Sequence, residues 1–453
     1  MQINPSEQIP SNSVRRDNIN TTTSGEAVIR KVIAGTNISV TSTGADAGTG
    51  DVTVNAASIF GLNVPWAVSG RLTLQSGVPC MGNSTVTSST VYFTPFNGNC
   101  IPVWNGSAFA PQAFTELSNV LANSSTGKAG PFAAVSGAVY DLYVWSDAGT
   151  LRLSRSDMWQ QTATVTITNA SPAVVTHNSH GLAEGAPVRL SVVGGSLPPN
   201  FTAGTTYYVR NATTNTYQLA ATAGGTVINA GGAASGTITA TEGIGDAQTV
   251  AVGTTIARGS ANAQNLVTGI LTNTNAITNG PGAGVGLYVG SMIINNGSID
   301  VSYSPTTTIA NTIGIWNQFN RRPWRSNITN NFTASWTYTT AAWRYADAVI
   351  TQTKFVIGQD EDGVEAVYNA IAGTTSATAK AGVGLDVATS IPAAGTAGVT
   401  ASLLSTVVGT FSGYTGIGTH YLIPIEYGGT GVSFQGNNGG SDRQSGMIAT
   451  GMY

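Results

Sequence analysis

Apolar and polar residues alternate along much of this chain with a period of two, in short runs separated by Gly-, Asn-, Asp- and Ser-containing breaks. That period belongs to half-buried β-strands. Ile38 and Val40, then Val52 and Val54, alternate with polar residues around the turn segment TGADAGTG, predicting a hairpin within 25–56. Such a hairpin exposes an apolar face and is too small to stand alone, so it needs a neighbour or a symmetry mate. A short strand is expected at 71–74. The runs 91–93 and 101–104 flank Phe96-Asn97-Gly98-Asn99, and 140–145 and 151–153 flank Ser146-Asp147-Ala148-Gly149, so both pairs read as hairpins. Strands at 162–167, 173–176, 187–192, 206–210 and 216–219, punctuated by turns, predict a separate small sandwich or barrel. Further strands are expected at 287–289 and 355–357.

Three stretches carry helical spacing instead: 114–121, 311–320 and 364–372. In the second, Ile313, Trp316, Asn317 and Asn320 follow steps of three and four, and Ile315 and Phe319 widen the stripe. Pro323 would end this helix, placing Arg321 and Arg322 where cations offset the helix dipole. The acids Asp360, Glu361 and Asp362, with Glu365, fit the start of the third helix. As a calcium group they lack EF-hand spacing.

Half of the eight tryptophans (Trp316, Trp324, Trp336 and Trp343) fall between 316 and 344, beside Arg321, Arg322, Arg325 and Arg344. Aromatic rings interleaved with guanidinium groups bind sugars or single-stranded nucleic acid, or form the densest part of a core. Trp336 and Tyr338 alternate with small residues, as do Trp343 and Tyr345, so a hairpin is expected to bring the two pairs onto one face. Core or inter-subunit packing is the favoured reading. Trp324, Trp336, Tyr338, Trp343, Tyr345 and Arg325 stand as candidate glycan or inter-subunit contacts.

The 453 residues favour about three domains. Only 9% are charged, against about 25% in an ordinary soluble domain. The 41% of hydrophobic residues suffice for a core. No apolar run approaches the roughly 20 residues of a spanning helix, so membrane insertion is not expected. A net charge of −3 and no basic run beyond Arg321-Arg322 leave no footprint for nucleic acid. A surface of Thr, Ser, Asn and Gly suits a long-lived extracellular setting, yet the N-terminus lacks the regions of a signal peptide.

Candidate chemistry is sparse. His177 and His180 form an HxxH with no third ligand at metal spacing, and with Gly181 they read as a structural turn. His420 stands alone. The run 280–286, GPGAGVG, lacks the Gly-Lys-Ser/Thr ending of a phosphate loop and leads into an apolar β-like run. Cys80 and Cys100 flank a predicted hairpin, where a disulfide is geometrically allowed. Cytosolic assembly favours two unpaired thiols. No catalytic pair, metal site or cofactor is expected.

Several segments resemble a recurring module of tailed-bacteriophage tail fibres and other virion appendages: GRLTLQSGVP (70–79), VYFTPFNGNCIPVWNG (91–106), FTELSNVL (114–121), YDLYVWSDAGTLRLSRSDMW (140–159), IWNQFNRRPW (315–324) and SWTYTTAAWRYAD (335–347). The opening NTTTSGEAVIRKVIAGTNISVTSTGADAGTGDVTV is similar to the N-terminal part of such fibres. Between the halves, SPAVVTHNSHGLAEGAPVRLSVVGG and TYYVRNATTNTYQL resemble a small β-domain inserted in phage proteins, labelled after the first catalytic-cysteine half-domain (FCCH) of the ubiquitin-activating enzyme E1. This unit holds no cysteine, so the likeness implies no ubiquitin chemistry.

The resemblance implies a mainly β, multidomain, elongated fibre of sandwich or barrel modules, commonly a homotrimer. It divides as an N-terminal attachment arm (1–24), a hairpin stem (25–60), a β-module (61–160) interrupted by the inserted domain (161–243) and resumed with short helices (244–426), and a Gly-rich strap (427–453). The implied location is the phage particle, after synthesis in the host cytoplasm and release by lysis. Implied partners are further copies of the chain, other virion proteins at the arm, and host-surface polysaccharide. A head or neck fibre with a purely structural role, or a polysaccharide-degrading tailspike, are the alternatives.

Overall fold

A computed structural model describes residues 38–42, 52–56, 68–82, 85–182, 184–243, 258–295, 297–303, 311–329, 335–348, 350–374, 378–401, 404–436 and 445–453. The expected attachment arm, 1–24, lies outside them. The protein is mainly β, and the helical elements among the described residues are single 3-10 turns. Two units divide the chain, Met1–Trp66 and Ala67–Tyr453. In the first, Ile38–Ser42 and Val52–Ala56 pair antiparallel, with Val40 opposite Val54 and Ser39 opposite Asn55.

The second unit contains a closed six-stranded barrel, built in the order Gln160–Ile167, Val175–Thr176, Thr216–Ala220, Thr206–Arg210, Pro187–Val193 and Thr237–Gly243. Alternation decides its inside: Val165, Val188, Leu190, Val209, Tyr217, Leu219 and Ile238 form a core separate from the rest of the molecule. Thr and Ser fill the outward positions, where a β-branched or small polar residue suits a pleated surface.

Three larger sheets surround a second core. One is centred on Val139–Asp147 and Leu287–Ile293, which pair with each other across the insertion. Another is built on Gly418–Gly428, flanked by Ala379–Leu385 and Thr353–Ile357 and extended by Ala342–Tyr345. The third centres on Gly363–Thr374, with Ser405–Tyr414 and Gly446–Met452 alongside. Segments far apart in sequence are tied directly. Leu72 donates its backbone N–H to Asn317 Oδ1 at 2.6 Å, and Asn320 donates to the Val68 and Gly70 carbonyls at 2.8 and 2.9 Å.

The three expected helices are strands. Residues 364–372 lie in Gly363–Thr374, where Val364, Ala366, Tyr368 and Ala370 are buried in strict alternation while Val367 is exposed. The helical stripe Val364, Val367, Tyr368, Ile371 competed with this pattern, and alanine, small enough for either, concealed which was real. Residues 311–320 contain Asn311–Ile313 and Ile315–Asn317, both wholly buried, so neither leaves the polar face of a surface helix. Residues 114–121 contain Leu117–Val120, whose inward residue is polar: Asn119 donates to the Ala129 and Leu153 carbonyls. The Asn97-Gly98 turn is likewise not a hairpin. Thr90–Thr94 pairs with Arg71–Thr73 and Leu117–Val120, and Cys100–Trp104 pairs with Phe109–Ala113, so the turn is a corner between sheets. The other predicted hairpin does form, Val139–Asp147 with Thr150–Arg155.

The chain leaves the host sheets at Trp159 and returns at Arg258, and these points touch. Arg258 lies 4.6 Å over the Trp159 ring and pairs with buried Asp141 at 2.7 Å. A Cβ on Gly259 would overlap the Gln160 carbonyl, so only glycine lets the two backbones meet there. The barrel is clamped to its host by Arg189, which pairs with both carboxylate oxygens of Asp157 at 2.7 and 3.0 Å and lies 4.1 Å over Phe132.

Two other buried arginines contrast. Arg155 donates to Asn119 Oδ1 and to the Val120, Asn123 and Phe132 carbonyls. Arg71, 1% exposed, has no hydrogen-bond partner on any of its three nitrogens and rests 4.8 Å over the Tyr453 ring. Burial pushes its pKa down. A desolvated cation–π contact contributes on the order of 2 kcal/mol, less than the several kcal/mol that burying the charge costs. Arg71→Met is therefore expected to raise stability by about 1–3 kcal/mol, read as a higher urea midpoint. A lower midpoint would show that the guanidinium has a partner in solution.

Candidate functional site

The 316–344 stretch leads to a buried carboxylate. Glu426 lies on Gly418–Gly428 with no exposed surface. Three side chains donate to it: Tyr368 Oη at 2.6 Å, Trp336 Nε1 at 2.8 Å and Tyr338 Oη at 2.9 Å. The Asp347 backbone N–H approaches at 3.5 Å. Tyr368 sits on Gly363–Thr374 and Trp336 on Ser335–Thr337, strands of the third sheet, so one carboxylate ties that sheet to its neighbour. Trp336 stacks on Phe434 with centroids 6.3 Å apart, and Tyr338 packs on the same ring. Burial pushes Glu426 up to about 7, against the pull of its donors. Burial, followed by the nearby carboxylate, also pushes the Tyr338 hydroxyl well up, keeping it a donor.

Trp343 and Tyr345 do not join Trp336 and Tyr338 in a hairpin. Ser335–Thr337 pairs with Val432–Gln435, whereas Ala342–Tyr345 pairs with Gly418–Gly428. Partners distant in sequence captured both strands. Between the two pairs, the Tyr338 hydroxyl comes to 3.3 Å from the Tyr345 carbonyl. On the far face of the sheet Trp343 meets Tyr427, ring centroids 5.6 Å apart and tilted 59°. Lys380 holds its ammonium 4.8 Å over the Tyr427 ring. Arg344, alternating to the other side, lies 4.1 Å over Tyr338.

The remaining members of the stretch serve the core. Trp324 is buried against Phe355, while Arg325 on the same strand is exposed. Trp316 donates Nε1 to Asp362 at 2.8 Å. Arg321 pairs with Asp362 and Glu361, so these acids sit in the turn before Gly363–Thr374 and neutralise an arginine. They do not open a helix, and no helix dipole places Arg321.

His177 and His180 stand at one end of the barrel. His177 Nδ1 meets Glu242 at 2.9 Å, and that carboxylate also accepts from Tyr217 Oη at 2.6 Å and Gln161 Nε2 at 2.9 Å. His180 is buried: Nδ1 accepts from the Leu182 N–H at 2.9 Å, which leaves Nε2 to face the Thr216 carbonyl at 3.4 Å. Gly181 takes the left-handed turn conformation, φ 62°. His420, alone in the sequence, is buried with Asp386 at 3.0 Å. Cys80 and Cys100 are free thiols. Among the described residues no group of three His, Cys, Asp or Glu could hold a metal ion.

Sequence reasoning missed Glu426, Tyr368, Tyr427 and Lys380. A signal for Glu426 existed: it is the lone acid in the apolar run YLIPIEY, 421–427. A charge inside a strand buried on both faces must find donors.

Because the folded-state pKa of Glu426 lies above its ordinary 4.5, the folded protein holds a proton the unfolded chain has lost between the two values. Its contribution to stability is full below 4.5 and is lost as pH rises through about 7. The unfolding free energy from urea titrations is expected to fall between pH 5 and 8 by an increment on the order of 3 kcal/mol that Glu426→Gln lacks. Parallel pH profiles for the two proteins would refute this.

No protein-family model matches the chain, and no curated protein is similar to it.

Proposed function

We propose that the chain is a non-enzymatic structural subunit of a tailed-phage virion, a fibre or spike that docks through its N-terminal part and displays β-domains to the host surface. One observation carries this reading. The segments that resemble the appendage module lie on both sides of the inserted barrel, yet they interlock around one core. Leu72, Phe93, Tyr140, Trp159, Trp316 and Trp324 share it, and Asn317 and Asn320 bond directly to the 68–72 segment. A module of this kind is a framework, and the tryptophan-rich stretch belongs to it.

Binding fits better than catalysis. The carboxylates Asp141, Glu242, Asp386 and Glu426 are each buried and engaged by neighbouring donors. Three copies would supply the mates that a two-stranded hairpin needs. Weak contacts multiplied over several arms give useful avidity.

Gold-labelled antibodies against the barrel, applied to purified phage particles, are expected to mark an appendage. Mass photometry of the isolated chain is expected to give a trimer. Label absent from particles but abundant in the free lysate overturns the virion reading. Release of oligosaccharide from host capsule by the purified protein overturns the non-enzymatic part.

A further inference from the structure

The two faces of the Gly418–Gly428 strand treat their aromatic residues differently. On the inner face, Trp336, Tyr338 and Tyr368 spend their polar hydrogens on Glu426. On the outer face a single cross-strand row runs Trp343, Tyr427, Lys380, Val399, each opposite the next in register. The first three are half-buried and Val399 is 60% exposed. Here the polar hydrogens are unspent. Among the described residues, the Trp343 indole N–H and the Tyr427 hydroxyl meet no protein partner. Among the described residues no carboxylate pairs with the Lys380 ammonium, which lies over the Tyr427 ring. Aromatic faces, hydrogen-bond donors and one cation are thus lined up across adjacent strands.

We propose that this row is a binding shelf for an acidic glycan, a polysaccharide strand carrying hexuronate carboxylates. The proposal rests on the adhesion reading above and names its ligand. Trp343 packs in part on the buried cluster of Ala388, Tyr421, Ile423 and Ile425, and the half-exposed remainder of its ring, tilted 59° from Tyr427, meets the C–H face of a sugar ring. The indole N–H and tyrosine hydroxyl meet sugar hydroxyls. Lys380 lies two interstrand spacings from Trp343, about 9.6 Å, and meets the carboxylate of a neighbouring sugar residue. Charge excludes the nearest rival. A nucleic-acid strand demands a track of cations along its phosphates, and this row has one.

Biolayer interferometry of the full chain against immobilised oligogalacturonate, with its carboxyl-reduced counterpart and single-stranded DNA alongside, tests the shelf. Oligogalacturonate is expected to bind in a salt-sensitive manner and the other two much more weakly. Lys380→Gln is expected to weaken that binding about tenfold or more, as for a lost charge-assisted hydrogen bond, without changing the response to the reduced glycan. Trp343→Ala is expected to abolish it. Tyr427→Phe, which keeps the ring, guards against misfolding in the alanine variant and should lose a few-fold. Equal binding of the acidic and reduced glycans, or an unchanged Lys380→Gln variant, overturns the proposal. So does self-association that depends on Trp343 and Val399, which would make the occupant a second copy of the chain. Phage particles that carry the chain while it ignores oligogalacturonate overturn the shelf alone. Binding by a chain that is absent from particles overturns the virion reading and leaves the shelf standing.

Discussion

Asp141 is buried in the central host strand, and Arg258 pairs with it there at 2.7 Å. The carboxylate also accepts from Ser291 Oγ at 2.7 Å, and Arg258 reaches Tyr288 Oη at 3.0 Å and the Gly358 carbonyl. One ion pair therefore gathers chain from before the barrel, from its return, from a later strand of the same sheet and from the end of a strand in the next. Breaking such a pair by removing one partner leaves an uncompensated buried charge and costs several kcal/mol. The return of the chain beside the strand it left thus helps to hold the host sheets closed.

Three other buried acids among the described residues are held mainly by neutral hydrogen-bond donors. Glu426 is held by indole and phenol donors, Glu242 by tyrosine, histidine and glutamine, and Asp386 by His420 and the Tyr421 backbone N–H. Few of these partners are full cations, which fits a sequence with only 18 lysines and arginines. Directional hydrogen bonds replace charge neutralisation. They also fix which sheet lies against which, because an aromatic donor reaches a carboxylate from one position only. On the outer face of the Gly418–Gly428 strand the Trp343 and Tyr427 donors are half-exposed instead of being spent on an acid.

Local features of the sequence made the β class, the barrel and one of the two tight hairpins legible. Period-two alternation and positive-φ turn residues such as Ala148 and Gly149 act over a few residues. The helices were misread for a stated physical reason: in 364–372 alanine satisfies both periods, and only burial of Ala366 and Ala370 decides. The pairing of Trp336 with Glu426, 90 residues away, left no local trace. Nor did the register that sets Trp343 beside Tyr427 and Lys380. Residue types at the candidate site were visible early, whereas their division between two faces of a sheet depended on long-range pairing.

The contact between Gln160 and Gly259 gives the insertion point a property of its own. Two chain ends that already touch are bridged by any domain whose own termini lie side by side, and the entropy of closing the loop grows only slowly with the length inserted. With the barrel's apolar core separate from that of its host, neither core has to be repacked when the other changes. The host is in effect a socket: its fold constrains what joins Gln160 to Gly259 through a short span and the Arg189–Asp157 clamp.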